Sequence, residues 1–113
     1  MLKLEHVNFP AKDPIGLATW YCNTFGLTRD EHRAIGDDVL LVFVPGEPLG
    51  KRTDAHFGFR VESNATLKKW AGQFDKEIML RGRFNSIQVF DPEGNCFEVY
   101  CPPDALKVPR HEP

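Results

Sequence analysis

The sequence predicts an α+β fold made of two similar modules, and three observations support this prediction. Each module begins with the alternating pattern of a β-strand, and each then continues into the three-and-four spacing of a helix with one buried face. The modules also share four residue types at an offset of 50 positions: His6 and His56, Phe9 and Phe59, Leu17 and Leu67, Trp20 and Trp70. The chain has only four histidines and two tryptophans, so these matches indicate a duplicated supersecondary unit.

Composition excludes several classes of protein. At 113 residues the chain is long enough for one domain, and its 42% hydrophobic content supplies a core. The net charge is −2 and the charges are interspersed, without the basic stripe that is typical of nucleic-acid binding. The longest apolar run, residues 39–44, is too short to cross a membrane, and residues 1–5 show no signal peptide. We expect neither nucleic-acid nor membrane partners.

The cysteines indicate a compartment. Cys22, Cys96 and Cys101 form an odd set without a C-x-x-C motif. Such a set fits a reducing cytosol better than a disulfide framework, so we expect a cytoplasmic protein.

The first module begins with a strand and a helix. Residues 2–9 alternate as a strand. Asp13 is expected to cap a helix with Pro14 at its first position, and Gly26 is expected to end it. The buried stripe of this helix is predicted to comprise Pro14, Leu17, Ala18, Tyr21 and Phe25.

Two further strands are expected to complete the first module. They span residues 27–34 and 38–44, joined across residues 35–37. Residues 45–50 contain prolines and glycines that break the pattern and link the two modules.

The second module repeats the order. Residues 55–61 read as a strand, and Ser63 or Asn64 caps the following helix. The predicted buried stripe of this helix is Leu67, Trp70, Ala71 and Phe74.

A hairpin is expected to end the second module, with strands at residues 86–90 and 96–100 around the turn at residues 91–95. Each module therefore reads β-α-β-β, with room for one more short strand. We expect a single domain over residues 1–113, with module one at about 1–50, module two at about 51–101, and an irregular tail at 102–113.

Two histidines and a glutamate are the candidate metal ligands. His6 and His56 begin their modules at equivalent positions, on the strand face opposite their Val and Phe neighbours. Glu98 stands in an apolar strand, where an unpaired buried charge is costly. Two imidazoles and a carboxylate suit a catalytic divalent ion such as Zn²⁺, Fe²⁺, Mn²⁺ or Ni²⁺. The alternative is that both histidines are inert, hydrogen-bonded core residues and that Glu98 faces solvent.

Four stretches of the chain resemble the vicinal oxygen chelate superfamily, which includes glyoxalase I, fosfomycin-resistance thiol transferases, bleomycin-resistance proteins and extradiol dioxygenases. The stretches are residues 4–9 with Asp13, then residues 20–27, 56–61 and 90–99. The resemblance runs from residue 2 to about residue 101. Its most specific element is the turn Asp91-Pro-Glu-Gly-Asn, followed by a strand with Glu98 seven residues after Asp91.

The resemblance implies paired βαβββ modules whose curved mixed sheets enclose a metal-centred cleft. It implies one divalent ion per chain, held by His6, His56 and Glu98, without deciding which metal. Glyoxalase I has a fourth ligand, a glutamate near the end of its first module. The corresponding residues 39–44 here contain no carboxylate, and Glu47 lies in a turn. A three-ligand set is more similar to the fosfomycin-resistance enzymes or the dioxygenases.

Several residues are expected on the same face of their strands as the candidate metal ligands, and these residues are candidates for the substrate site. Glu98 and Tyr100 are the candidate catalytic residues, Tyr100 as an acid or hydrogen-bond donor; its alternative role is a packed aromatic. Arg60 suits a carboxylate or phosphonate, or else is a surface charge. His32 and His111 are interpreted as solvated. The candidate substrate-binding residues are Asn8, Arg60, Ser86, Gln88 and Cys96, and Cys96 is alternatively a small buried hydrophobe.

These residues favour a small metal-dependent enzyme whose ion chelates two oxygens of a small substrate and acts as a Lewis acid. Lyase or isomerase chemistry, thiol transfer and dioxygenation all use such a site. The alternatives are a metal-free small-molecule or antibiotic-binding protein of the bleomycin-resistance type, and a structural partner module.

A homodimer with shared sites is also expected. In short members of the superfamily the modules pair between chains, so His6 of one subunit would meet His56 and Glu98 of the other. The small size of each module supports the same expectation, because dimerisation adds core.

Overall fold

A computed structural model describes residues 2, 4–50 and 55–102 of the chain. These residues form two compact units, one from the residues up to Gly50 together with Pro92–Asn95, and one from residues 55–91 with 96–102. The first unit contains β1 (Val7–Ala11), α1 (Pro14–Phe25), β2 (Thr28–Asp30), β3 (Arg33–Ile35) and β4 (Leu40–Pro45). The second contains β5 (Phe57–Arg60), α2 (Asn64–Phe74), β6 (Met79–Leu80), β7 (Asn85–Phe90) and β8 (Cys96–Cys101).

Each unit has one helix and a mixed four-stranded sheet, and the two sheets have the same strand order. The first runs β1-β4-β3-β2 and the second β5-β8-β7-β6. In each, the opening strand pairs in parallel with the last strand, and the other pairs are antiparallel. The predicted α+β fold of two βαβββ modules is confirmed, and the duplication in the sequence is a duplication of topology.

The first helix begins and ends at the predicted residues. Asp13 accepts a hydrogen bond from the backbone N–H of Gly16 at 3.0 Å, and Pro14 occupies the first turn, where its missing N–H leaves no donor unpaired. Gly26 ends the helix in the left-handed conformation, with φ of 71°. The buried helix residues are Leu17, Ala18, Tyr21 and Cys22.

Aromatic rings join this helix to its sheet. The ring of Tyr21 stacks on Phe43 of β4 at 5.3 Å between centroids, and Phe43 in turn stacks on Phe9 of β1 at 6.2 Å. Trp20 is half-buried and packs edge-on against Tyr21 at 4.9 Å. This stack is the core of the first unit.

Glu93, which is distant from α1 in the sequence, accepts hydrogen bonds just before the start of this helix. Its two carboxylate oxygens accept hydrogen bonds from the backbone N–H groups of Lys12 and Asp13, at 2.7 and 2.9 Å. The turn Pro92–Asn95 thereby belongs to the first unit, although β7 and β8 on either side of it belong to the second.

The second unit uses the same plan. Ser63 is the helix cap and accepts a hydrogen bond from the N–H of Thr66 at 3.2 Å. Leu67 and Ala71 are its buried helix residues, with Trp70 and Phe74 half-buried. The core of the unit centres on Phe97 of β8, whose ring lies 5.7 Å from Phe57, 5.8 Å from Phe59 and 6.0 Å from Phe74.

Several element boundaries differ from the prediction. Strand β4 covers Leu40–Pro45 and not residues 38–44, and β5 covers Phe57–Arg60 and not residues 55–61. The first strand begins at Val7 rather than at residue 2 and continues to Ala11. Residues 27–34 are not one strand, because the chain reverses at Glu31, which has a φ of 54°, and forms the hairpin β2–β3. The further short strand that the prediction allowed in the second module is β6, which lies in the polar segment before β7 and pairs with Asn85 and Ser86. In each case the pairing of neighbouring strands decided the outcome, and local residue preferences do not encode that pairing.

Residues 103–113, which form most of the expected tail and include His111, and residues 51–54, at the expected start of module two, lie outside the described residues. Neither helix in the described part of the chain has the length and apolar character needed to span a membrane.

Candidate metal and substrate site

The second unit brings His56 and Glu98 together. Strands β5 and β8 run parallel with Gly58 opposite Glu98, so His56, two residues before Gly58, lies on the same face of the sheet as Glu98. The Nε2 atom of His56 is 3.7 Å from Oε1 of Glu98. The side chains are 40% and 19% exposed, so a small molecule has access to both.

The separation of these two atoms suits ligands of one ion. At 3.7 Å the two atoms are farther apart than in a hydrogen bond. Two ligands that are each about 2.1 Å from a tetrahedral ion lie roughly 3.4 Å apart. An imidazole and a carboxylate at this spacing therefore fit a divalent cation with little rearrangement.

A cavity of about 260 Å³ lies beside this pair. Its wall combines the two polar groups with aromatic rings and one glycine. The lining residues are His56, Phe57, Gly58, Phe84, Glu98 and Tyr100.

Gly58 lets the ring of Tyr100 lie close to β5. A Cβ atom at Gly58 would stand 3.0 Å from Cε1 of Tyr100 and 3.2 Å from Cδ1, closer than ordinary contact. The missing side chain therefore sets the position of the Tyr100 ring in the cavity wall.

The other predicted residues of this sheet have the expected parity but differ in burial. Arg60 lies opposite Tyr100 and Gln88 lies opposite Glu98, and both are exposed and outside the cavity lining. Ser86 is fully buried, and its Oγ has no hydrogen-bond partner within the described ranges. It is flanked by Met79 of β6 and Tyr100 of β8.

Cys96 is half-buried on the same face, opposite Phe90. Burial raises the pKa of its thiol, and the negative charge of Glu98 raises it further. The thiol form is favoured at neutral pH, which makes Cys96 a weak nucleophile in this setting.

His6 and Asn8 lie in the first unit, in a second cavity of about 450 Å³. The Nδ1 atom of His6 is 3.1 Å from Oε1 of Glu5, a carboxylate partner that sequence reasoning did not identify. The lining residues of this cavity are Glu5, His6, Asn8, His32, Arg33, Leu40 and Val42.

The strand register identifies the first-unit counterpart of Glu98. Asn8 lies opposite Val42, as Gly58 lies opposite Glu98, and each is two residues beyond its histidine. Val42 therefore occupies the position of the carboxylate. Glu47 is exposed beyond the end of β4, so strand β4 supplies no acidic ligand.

The structure thus places together His56, Glu98 and Tyr100, and it places His6 and Asn8 in the other unit. Within residues 2, 4–50 and 55–102, no three His, Cys, Asp or Glu side chains form a metal-binding group. The sequence analysis did not identify Phe84. Phe84 lies two residues before Ser86, so extending the alternating pattern of β7 by one more position towards the N-terminus would have identified it.

No protein-family model matches the chain, and no curated protein matches it. Solved structures do. A mutant of the fosfomycin resistance protein FosX from Listeria monocytogenes, complexed with Mn(II) and 1S,2S-dihydroxypropylphosphonic acid, is 18% identical with a TM-score of 0.72, over 88% of this chain and 90% of that one. The oxidase ChaP-H1 is 17% identical with a TM-score of 0.70, over 91% and 98%. A lactoylglutathione lyase from Agrobacterium tumefaciens is 20% identical with a TM-score of 0.64, over 88% and 92%. These similarities confirm the fold that the sequence resemblance implied.

Proposed function

Because the chain has the fold of the vicinal oxygen chelate superfamily, we propose that it is a small metal-dependent enzyme. His56 and Glu98 of one chain, with His6, would hold one divalent ion. When bound, the ion would act as a Lewis acid on two oxygens of a small substrate. The observation that supports this most is the His56–Glu98 pair at 3.7 Å beside a cavity large enough for a small ligand.

Tyr100 is the proposed proton donor. Its ring lines the same cavity as His56 and Glu98, and a phenol donates one hydrogen bond. In this role it would stabilise negative charge that develops on a substrate oxygen. The substrate would lie against the exposed face of the second sheet, with Gln88 and Arg60 at its margin.

The similar solved structures are named for different activities, so we propose only the step that these activities would have in common. FosX is named for fosfomycin resistance, and other neighbours are named as a lyase, an oxidase and a glyoxalase/dioxygenase. Lyase or isomerase chemistry, thiol transfer and dioxygenation would each begin with the same two-oxygen contact.

We also propose that the protein works in the cytoplasm as a homodimer in which His6 of one subunit completes the site of the other. Within the described ranges each unit has a single helix for its sheet, and Arg60, Gln88 and Phe90 are exposed on the second sheet. A second chain would cover these residues.

Metal content of purified variants tests the proposal. His6→Ala, His56→Ala and Glu98→Ala should each weaken Mn²⁺ or Zn²⁺ binding by about tenfold or more, because a three-ligand site that loses one ligand loses much of its affinity. The matched controls are His32→Ala, which removes the other imidazole of the His6 cavity, and Glu77→Ala, which removes an exposed carboxylate.

Both control variants should bind metal like the unmodified chain. Full occupancy in the three ligand variants would show that the ligands are misassigned. A protein that binds no divalent ion at all would favour the metal-free binding protein instead.

A further inference from the structure

The cavity of the second unit has two chemically different walls. His56 and Glu98 form the polar wall, and the rings of Phe57, Phe84 and Tyr100 form the other. Among the described residues, none that lines it is a lysine or an arginine. An anionic headgroup would therefore find no cationic side chain in this wall, whereas a flat apolar group would find three rings.

Phe84 and Tyr100 are arranged as a contact surface. Their ring centroids are 5.5 Å apart with the planes inclined at 60°. Phe84 is 41% exposed, so part of its ring is available to a ligand in the cavity. The cavity of about 260 Å³ exceeds the roughly 150 Å³ of an engineered protein cavity that binds benzene.

Gly58 keeps this surface open. Because a Cβ atom there would press on Cδ1 and Cε1 of Tyr100, the glycine allows the ring to lie close to β5. The aromatic wall therefore depends on three positions, Gly58, Phe84 and Tyr100, of which only Tyr100 has a proposed catalytic role.

We propose that Phe84 and Tyr100 form a specificity wall, and that the substrate carries a flat apolar group, such as an aryl ring, next to its two chelating oxygens. The chelating part of this inference rests on the proposed metal site, but the aromatic part rests on the cavity alone. The wall favours a flat apolar group over a phosphonate, because its described residues offer ring surfaces for stacking and no positive side chain.

Two hydroxamates test the substrate class. Acetohydroxamate and benzohydroxamate present the same two oxygens to a metal ion and differ only in a methyl against a phenyl group. In Mn²⁺-loaded protein, benzohydroxamate should bind about tenfold or more tightly, because ring contacts add to the apolar area that is buried. Titration calorimetry gives both affinities.

Matched variants identify the residues that are responsible for the preference for the phenyl probe. Phe84→Ala should reduce the preference for the phenyl probe to about twofold or less, with Mn²⁺ affinity unchanged. Phe90→Ala is the control, because Phe90 is 39% exposed on the same strand face and lies outside the cavity lining. It should keep the full preference. Gly58→Ala should weaken binding of the phenyl probe by shifting the Tyr100 ring.

Measurements on the metal-free protein test the aromatic wall separately from the metal site. Binding of the phenyl probe without metal should be weaker but still preferred over the methyl probe. A phenyl preference that persists while the affinities of both probes are unchanged by Mn²⁺ would support the aromatic wall and overturn the metal site. Equal affinity of the two probes with and without metal, or an equal loss in Phe84→Ala and Phe90→Ala, would overturn the aromatic wall.

Discussion

Ser86 and Gln88 lie two positions apart on one face of β7, yet one is fully buried and the other exposed. Ser86 has a neighbouring strand on both sides, with Met79 of β6 and Tyr100 of β8 opposite it. Gln88 has Glu98 of β8 on one side, and β6 does not extend far enough to cover the other. The length of a two-residue edge strand therefore decides which polar side chain is accessible to a substrate.

Cys22 should make stability depend on pH in the alkaline range. Burial raises the pKa of its thiol above the ordinary value of 9.0, although the positive charge of Arg29 opposes the shift. The folded state thus favours the protonated thiol, so this stabilisation is complete below about pH 9 and is lost as the pH rises through the higher folded pKa. Urea unfolding at pH 7.5 and pH 10 measures the effect.

Cys22→Ala is the control for this prediction. The variant leaves a small cavity and should be less stable at both pH values, but it should lose less free energy of unfolding between them than the unmodified chain. An identical loss in both proteins would show that the thiol does not contribute to the pH dependence.

At the scale of elements, the register of two parallel strand pairs makes the units comparable residue by residue. The pair β1–β4 sets Asn8 opposite Val42, and the pair β5–β8 sets Gly58 opposite Glu98. The two units therefore have the same strand register, but they carry different side chains at the position that Glu98 occupies in the second unit. One unit presents a histidine with a valine, and the other a histidine with a glutamate.

Val42→Glu should add a carboxylate ligand beside His6. If Val42 is the counterpart of Glu98, the variant should bind Mn²⁺ about tenfold more tightly, because affinity rises with the number of charged ligands. Val44→Glu is the matched control, two residues further along the same strand face and also half-buried. Equal gains in the two variants would refute the equivalence.

The turn between β7 and β8 contributes a second element-scale prediction. Glu93→Ala removes two charge-assisted hydrogen bonds to the N–H groups of Lys12 and Asp13. These bonds are exposed, so the expected loss is about 1–3 kcal/mol of unfolding free energy. Glu93→Gln keeps a carbonyl acceptor and should lose less.

Urea unfolding of Glu77→Ala provides the reference for this loss, because Glu77 is an exposed glutamate outside the turn. If Glu93→Ala were as stable as Glu77→Ala, the two hydrogen bonds would carry no net stability. The expected result would explain on structural grounds why glutamate stands at this position of the turn.

At the scale of the whole molecule, the proposed site would be shared between two chains of a homodimer. His6 belongs to the first unit, and His56 and Glu98 to the second. A closed two-fold dimer would pair the units of different chains symmetrically and would create two equivalent sites.

Complementation tests the shared site. His6→Ala and Glu98→Ala should each bind metal poorly alone, but a mixture under exchange conditions should recover metal binding, because each mixed dimer regains one intact site. Native mass spectrometry identifies the mixed dimer and its metal content. If metal binding does not return although mixed dimers form, the site lies within one chain.

Much of the fold and part of the site were predictable from the sequence. Local chemistry was sufficient to locate both helices, because each cap forms its hydrogen bond with a residue at most four positions away. The caps are Asp13 and Gly26 of the first helix and Ser63 of the second. The alternation of β5 and β8 placed His56 and Glu98 on one face, because a strand repeats every two residues.

The sequence by itself determined the duplication, because matching residue types recur at an offset of 50. It also determined the start of both helices, the end of the first helix and the parity of the site residues, since these depend on short-range spacing. Only the tertiary structure decided that residues 27–34 form a hairpin, that Ser86 is buried while Gln88 is exposed, that Val42 occupies the position of Glu98, and that Phe84 lines a cavity with Tyr100. These features depend on which strands pair and how far each extends. Pairing joins residues that are distant in the chain, and its energy comes from packing across the sheet, which no local pattern records.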